Sequence, residues 1–202
     1  MPREGEFMND NRYPTLAAVL WPEHAASRAR FAAFAVIGTL ALVVSSKVEV
    51  PFQPVPMTLQ TLAVMILGAA YGARLAGATI ALYLVEGLIG LPVFAGDAAG
   101  PAVMAGPTGG YLIGFLAAAT FIGFLAERGW ARSTPRLLAA MTIGHAIIFI
   151  FGFSWLATLI GPEKAWMFGV APFFAATVVK TLLAWALVAA FWRIAVALRK
   201  PV

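Results

Sequence analysis

Cysteine is absent from this chain, and with it go disulfides, thiolate metal sites and any cysteine nucleophile; the redox compartment stays open. Charge is sparse, at 11% of the 202 residues, against about 25% in an ordinary soluble domain. No G-x-x-x-x-G-K-[ST] sequence occurs, which excludes ATP hydrolysis by a P-loop. H-E-x-x-H and G-x-S-x-G are missing too, and the apolar segments hold no paired carboxylates that could run acid–base chemistry or relay protons. A membrane enzyme would thus lack a nucleophile with its base, no catalytic residue, metal or cofactor is indicated, and an active pump would need energy from a partner.

What fills the chain instead is apolar. Hydrophobic residues make up 61% of it, well above the roughly 45–50% of a soluble domain. A spanning helix needs about 20 predominantly apolar residues, fewer when shielded in a bundle. Six segments qualify: Ala29–Ser46, Met57–Ala73, Leu75–Leu91, Tyr111–Ala126, Leu137–Ile160 and Pro172–Trp192. The second and third are joined so tightly at Gly72, Ala73 and Arg74 that they must form a hairpin. The expected fold is an all-α membrane protein of six transmembrane helices, a single domain over residues 29–200.

The formal charge of +5 does not point to nucleic acid, because the basic residues gather in short connections and at the ends. Arg28 and Arg30, Arg74, Arg128 with Arg132 and Arg136, and Arg193 with Arg199 and Lys200 all fall on one side of a six-span bundle. The other side has only Lys47 with Glu49, Asp97, and Glu163 with Lys164. Since cytoplasmic segments carry the excess of Lys and Arg, both termini are expected inside. The tail, residues 1–28, is polar at its start and carries no cleavable signal. Met8 is a plausible native start, which would make residues 1–7 vector-derived, and residues 12–27 are expected to form a short interfacial segment with Trp21 at headgroup level.

The connections on the uncharged side carry the chemistry. VPFQPVPMTLQ (50–60) has closely spaced prolines, which favour a stiff, extended segment. LPVFAGDAAGPAVMAGPTGGY (91–111) is long and rich in glycine. Irregular backbone at membrane depth persists only where it is buried in protein or lines a cavity. Turn punctuation alone would account for the Pro and Gly, but not for Gln53, Thr58, Gln60, Thr108 and Tyr111, which offer neutral donors and acceptors around an apolar mouth. Such a mouth suits an uncharged polar small molecule with an apolar body.

An ionisable group inside a span costs on the order of 2.5–3.5 kcal/mol by insertion scales, so each one needs a partner or a role. Lys180 is expected in the outer half of the sixth span, either paired with Glu86 of the third or facing a ligand carboxylate or carbonyl oxygen. His145 reads as an interhelical hydrogen-bonding residue, and Trp155 as either a stacking platform or an interfacial belt residue. Small residues four apart, Ala29 with Ala33 and Gly68 with Gly72, allow close helix approach, to a partner or within the chain.

PFQPVPMTLQTLAV, LYLVEGLIGLPVFAG and GPTGGYLIGF together resemble the BioY family over about residues 36–192. The resemblance implies the substrate-binding S component of an energy-coupling-factor (ECF) transporter for biotin, in the bacterial cytoplasmic membrane. It would work with a transmembrane coupling protein and ABC-type ATPases, which fits the missing P-loop; a solitary biotin transporter stays possible. It further implies that the helix 1 face holding Ala29 and Ala33 meets the coupling protein, and that Lys180 matches the lysine of the family's last-helix signature. Many members carry Pro-Gly-Asp before that lysine, where this chain has Ala175, Ala176 and Thr177. The glycine-rich loop reads GDAAG, where other members have more glycines or an asparagine, so the ligand contacts that the resemblance carries over to Asp97 and Thr177 fall at altered positions.

Overall fold

A computed structural model describes residues 15–20 and 27–198. Expectations for residues 1–7, Met8, Trp21, Arg199 and Lys200 lie outside the described residues. The elements in chain order are α1 (Leu16–Leu20), α2 (Arg28–Lys47), β1 (Glu49–Val50), β2 (Met57–Thr58), α3 (Gln60–Tyr71), α4 (Ala73–Leu88), α5 (Pro101–Ala105), α6 (Gly109–Glu127), α7 (Thr134–Ile160), α8 (Pro162–Gly169) and α9 (Phe174–Leu198), with 3-10 turns at Trp130–Arg132 and Ala171–Phe173.

Each of the six apolar segments is a helix. Among the described residues, four stretches are long and apolar enough to cross a membrane: α2, α6, α7, and the run Pro162–Ala197. The expected spans differ from the helices at their ends, for local reasons. Met57–Thr58 pairs antiparallel with Glu49–Val50 instead of opening a helix, and Thr58 Oγ1 then accepts the N–H of Gln60, the first residue of α3. With 12 residues, α3 is about 18 Å long, well short of the roughly 30 Å hydrocarbon core. The sixth helix begins at Phe174 because Pro172 sits in the 3-10 turn before it, and α8 precedes that turn with Pro162 in its first turn. Leu16, Ala17 and Val19 of α1 are buried, and α1 packs beside α3 and α9.

Central to the bundle is α6, which packs against α7, α3 and α4. Buried residues make up 67% of its apolar window, against 28% for α2, so α6 is the inner rod and α2 a peripheral one. Close packing here depends on missing side chains. A Cβ on Gly123 would lie 2.4 Å from Ala73 N, so this glycine lets α6 meet the α3–α4 corner backbone to backbone. The corner turns through Gly72 at φ +81°, and Glu127 Oε1 accepts the N–H of Ala73 at 2.8 Å, satisfying a donor at the start of α4. Gly68 meets Ala119 and Ile122 on α6, so this small residue serves packing within the chain.

Contacts sort the bundle into two ends. Tyr71 Oη donates to Phe34 O (3.1 Å), Glu127 meets Ala73, and the Arg132 guanidinium lies 5.0 Å over the Trp192 ring. The start of α2, the α3–α4 corner, the α6–α7 connection and the last turns of α9 therefore share one end, where the arginines gather. The hairpin, the 91–108 connection and α8 occupy the other.

Candidate functional site

At the end away from the arginines, α3, α6, α7 and α9 surround a cavity of about 400 Å³, bordered by residues 54–56 and by residues of the 94–108 segment. This lies within the roughly 300–1,000 Å³ of small-molecule sites. Its wall is largely apolar, with Phe94, Tyr111, Phe115, Phe149 and Phe173 supplying rings. Phe173 is itself packed by Phe52 of the hairpin loop, ring centroids 6.4 Å apart, and by Phe149 at 6.5 Å.

Polar groups concentrate on one side. Phe173, Thr177 and Lys180 repeat at helical spacing and all line the cavity from α9 or the turn just before it. Lys180 is 9% exposed, and its Nζ donates to Thr58 O at 2.7 Å, tying α9 to the hairpin. An ammonium has three donors, so two remain for the cavity. No ion pair joins Lys180 to Glu86 among the described residues; the alternative of a structural pair is replaced by a charge-assisted bond to a backbone carbonyl.

Beside Lys180 runs a relay of hydrogen bonds. Thr58 Oγ1 donates to Gln60 Oε1 (3.0 Å), Gln60 Nε2 donates to Tyr83 Oη (2.5 Å), and Tyr83 Oη donates to Val93 O (2.8 Å). Tyr83 is wholly buried and meets Phe94 edge to face, 5.5 Å between centroids. Gln60 thus keeps one amide N–H for the cavity while its other groups hold the wall. The 92–97 loop is pinned from α2 as well. Lys47 Nζ donates to Pro92 O (2.8 Å), Phe94 O (3.1 Å) and Gly96 O, Ser46 Oγ lies 2.9 Å from Val93 O, and the exposed Asp97 carboxylate is 3.7 Å from Lys47.

Of the residues expected at the site, Lys180, Gln60, Thr108, Tyr111 and Thr177 line the cavity. Tyr111 presents its ring, because its hydroxyl donates to Gly169 O at 2.7 Å. Gln53, Glu86, Asp97 and Trp155 do not line it. Gln53 is exposed in the hairpin loop, Glu86 is half-buried on α4, and Trp155 faces outward while its Nε1 donates to Gly106 O at 2.9 Å. Ala29 and Ala33 are exposed on the outer face of α2 at the arginine end. Sequence reasoning passed over Phe94, Phe115, Phe149 and Phe173. His145 and Phe149, four apart on α7, shared a face that the helical period would have revealed.

The family model described as the BioY family matches residues 18–197. A probable biotin transporter BioY of Pyrococcus horikoshii is 39% identical over 141 residues, 70% of this chain and 83% of that one. The biotin transporter BioY2 of Lactococcus lactis is 35% identical over 149 residues (73% and 81%), and the biotin transporter BioY of Thermotoga maritima 37% over 149 (73% and 87%). The fold matches the 2.1 Å crystal structure of the S-component for biotin from an ECF-type ABC transporter, with a TM-score of 0.74 at 24% identity, covering 82% of this chain and 92% of that one. These relatives are transporters, not enzymes, and with its hydrophobic helices and its matched length, this chain belongs to the BioY family.

Proposed function

We propose that this chain captures biotin in the cavity between α3, α6, α7 and α9 and passes it inward as the S component of an ECF transporter. The observation that carries this reading is a ring-lined cavity of about 400 Å³ with Lys180, Thr58 and Gln60 grouped on one side of it. Biotin has a compact fused-ring body, a ureido group and a carboxylate, so it offers apolar surface to the rings and acceptors to Lys180. In this reading the six apolar helices all cross the bacterial cytoplasmic membrane, the arginine end and both termini face the cytoplasm, and the cavity opens outward. Helix α3 is too short to cross alone, and in this reading the hairpin that precedes it makes up the rest of the span. Residues 29–200 act as one membrane domain. The exposed Ala29 and Ala33 offer a close-approach face to a transmembrane coupling protein, whose ATPase partners supply the energy.

Titration of purified protein with biotin, by calorimetry or radioligand, tests the capture step; no saturable binding would overturn it. Uptake in cells lacking every coupling component separates the ECF reading from a solitary transporter: transport that persists there would refute the need for partners.

A further inference from the structure

Between Leu88, where α4 ends, and Pro101, where α5 begins, the chain forms neither helix nor strand. Its carbonyls have no regular ladder to bond to and must find donors elsewhere. Among the described residues, no backbone N–H reaches Pro92 O, Phe94 O or Gly96 O. Lys47 Nζ donates to all three. An ammonium has three N–H donors, so these alternate carbonyls use Lys47 up and leave nothing for a ligand. The other restraints fall short of this stretch. Tyr83 Oη donates to Val93 O, and Ser46 Oγ has one proton to share between Val93 O, Phe94 O and Val43 O of its own helix, the last being nearest at 2.7 Å. The backbone of residues 94–96 thus hangs mainly on Lys47. Phe94, Ala95 and Ala98 of the same loop line the cavity, whereas Lys47 does not.

We infer that Lys47 is a positioning residue for the site: it holds the Phe94 side of the cavity wall in place against bound biotin and so slows release. The inference rests on the biotin reading above and adds to it a residue outside the lining. A wall segment without a ladder of its own opens more readily than the helices around it, and ordering it on binding costs affinity. Tied at three points to the last residue of the 20-residue α2, the loop is ordered before the ligand arrives. These bonds are charge-assisted, and so stronger than the neutral bonds from Ser46 and Tyr83. Asp97 adds little to them, because its side chain is fully exposed and its carboxylate lies 3.7 Å from Nζ. Loosening the wall should show mainly in the dissociation rate, which carries most affinity differences among variants of one site.

The test loads purified wild-type protein, Lys47→Met and Asp97→Asn with radiolabelled biotin and follows its release into an excess of unlabelled biotin. Lys47→Met keeps the length of the side chain and removes its donors, and should release biotin about tenfold or more faster than wild type. The number of biotin sites per chain should stay the same. Asp97→Asn, which removes the ion pair and leaves the three carbonyl bonds, should release biotin at the wild-type rate. A residue that only stabilised the fold would lower the number of sites without changing the rate at which an occupied one empties. That result, or release from Lys47→Met within about twofold of wild type, would overturn the inference. Asp97→Asn releasing as fast as Lys47→Met would overturn it as well, by assigning the effect to the ion pair. Should Lys47→Met not fold, Lys47→Arg decides: its planar fork cannot aim three donors from one nitrogen, so release should be severalfold faster, and a wild-type rate refutes the positioning role. If the wild type does not bind biotin, the proposed function fails; if it binds and the Lys47 variants release it at the wild-type rate, only this inference fails.

Discussion

Replacing Lys180 with methionine separates binding from folding. The side chain is 9% exposed and donates to Thr58 O at 2.7 Å. Placing a lysine inside a span costs on the order of 2.5–3.5 kcal/mol, and a charge-assisted hydrogen bond returns about 1.5–3 kcal/mol. In the unliganded protein the two nearly offset, and methionine keeps much of the volume with no charge to bury. Lys180→Met should therefore leave the unfolding temperature unchanged or raise it. Biotin binding should behave differently, since the ligand loses a charged donor worth about 1.5–3 kcal/mol, or roughly tenfold to a hundredfold in Kd. The assay pairs a biotin titration with thermal unfolding of the unliganded protein in the same detergent. Affinity within threefold of wild type would refute a ligand role for Lys180. A steep drop in unfolding temperature matching the loss of affinity would mark the residue as structural.

Two further substitutions probe the wall rather than the ligand contact. A Cβ at Gly87 would lie 2.0 Å from Phe94 Cζ, and Phe94 is held by Tyr83 and the pinned loop, so Gly87→Ala should cost about 1–3 kcal/mol of overpacking and lower the unfolding temperature. An unchanged transition would show that the loop yields. Tyr83→Phe removes the hydroxyl between Gln60 Nε2 and Val93 O, and should cost about 1–3 kcal/mol in the same unfolding assay while weakening biotin severalfold through a released Gln60; a silent variant would show that the relay holds nothing in place.

Hydropathy alone located α2, α3, α4, α6, α7 and α9, with ends off by up to six residues, because a segment that is apolar all round has little choice of environment. That same uniformity hid the site. In a soluble helix the buried face is the apolar one, whereas α2, α7 and α9 are apolar on both faces and carry little periodic signal to say which side turns inward. Trp155 and Phe149 illustrate the cost: both are aromatic residues on α7, yet one faces outward and the other lines the cavity. Polar residues were more telling. Lys180 and Thr177, three apart on α9, had to share a face, and both line the cavity. Glu86 fitted the same argument by depth but not by direction, since depth along a helix says nothing of its rotation. The β1–β2 hairpin and α8 were missed because their cues, Thr58 bonding to its own neighbours and Pro162 opening a short helix, are local and too brief to stand out against long apolar runs.

The grip of Lys47 on the 92–97 loop has a mechanical side. Three peptide carbonyls converge on one ammonium much as they would on a hard cation, and their mutual repulsion is held in check only while that charge is there. The charge is the last residue of a rod about 30 Å long, with Ala29 near its opposite tip. Lys47 closes α2 and holds the loop that carries Phe94, so a single helix ties the arginine end of the bundle to the wall of the binding chamber.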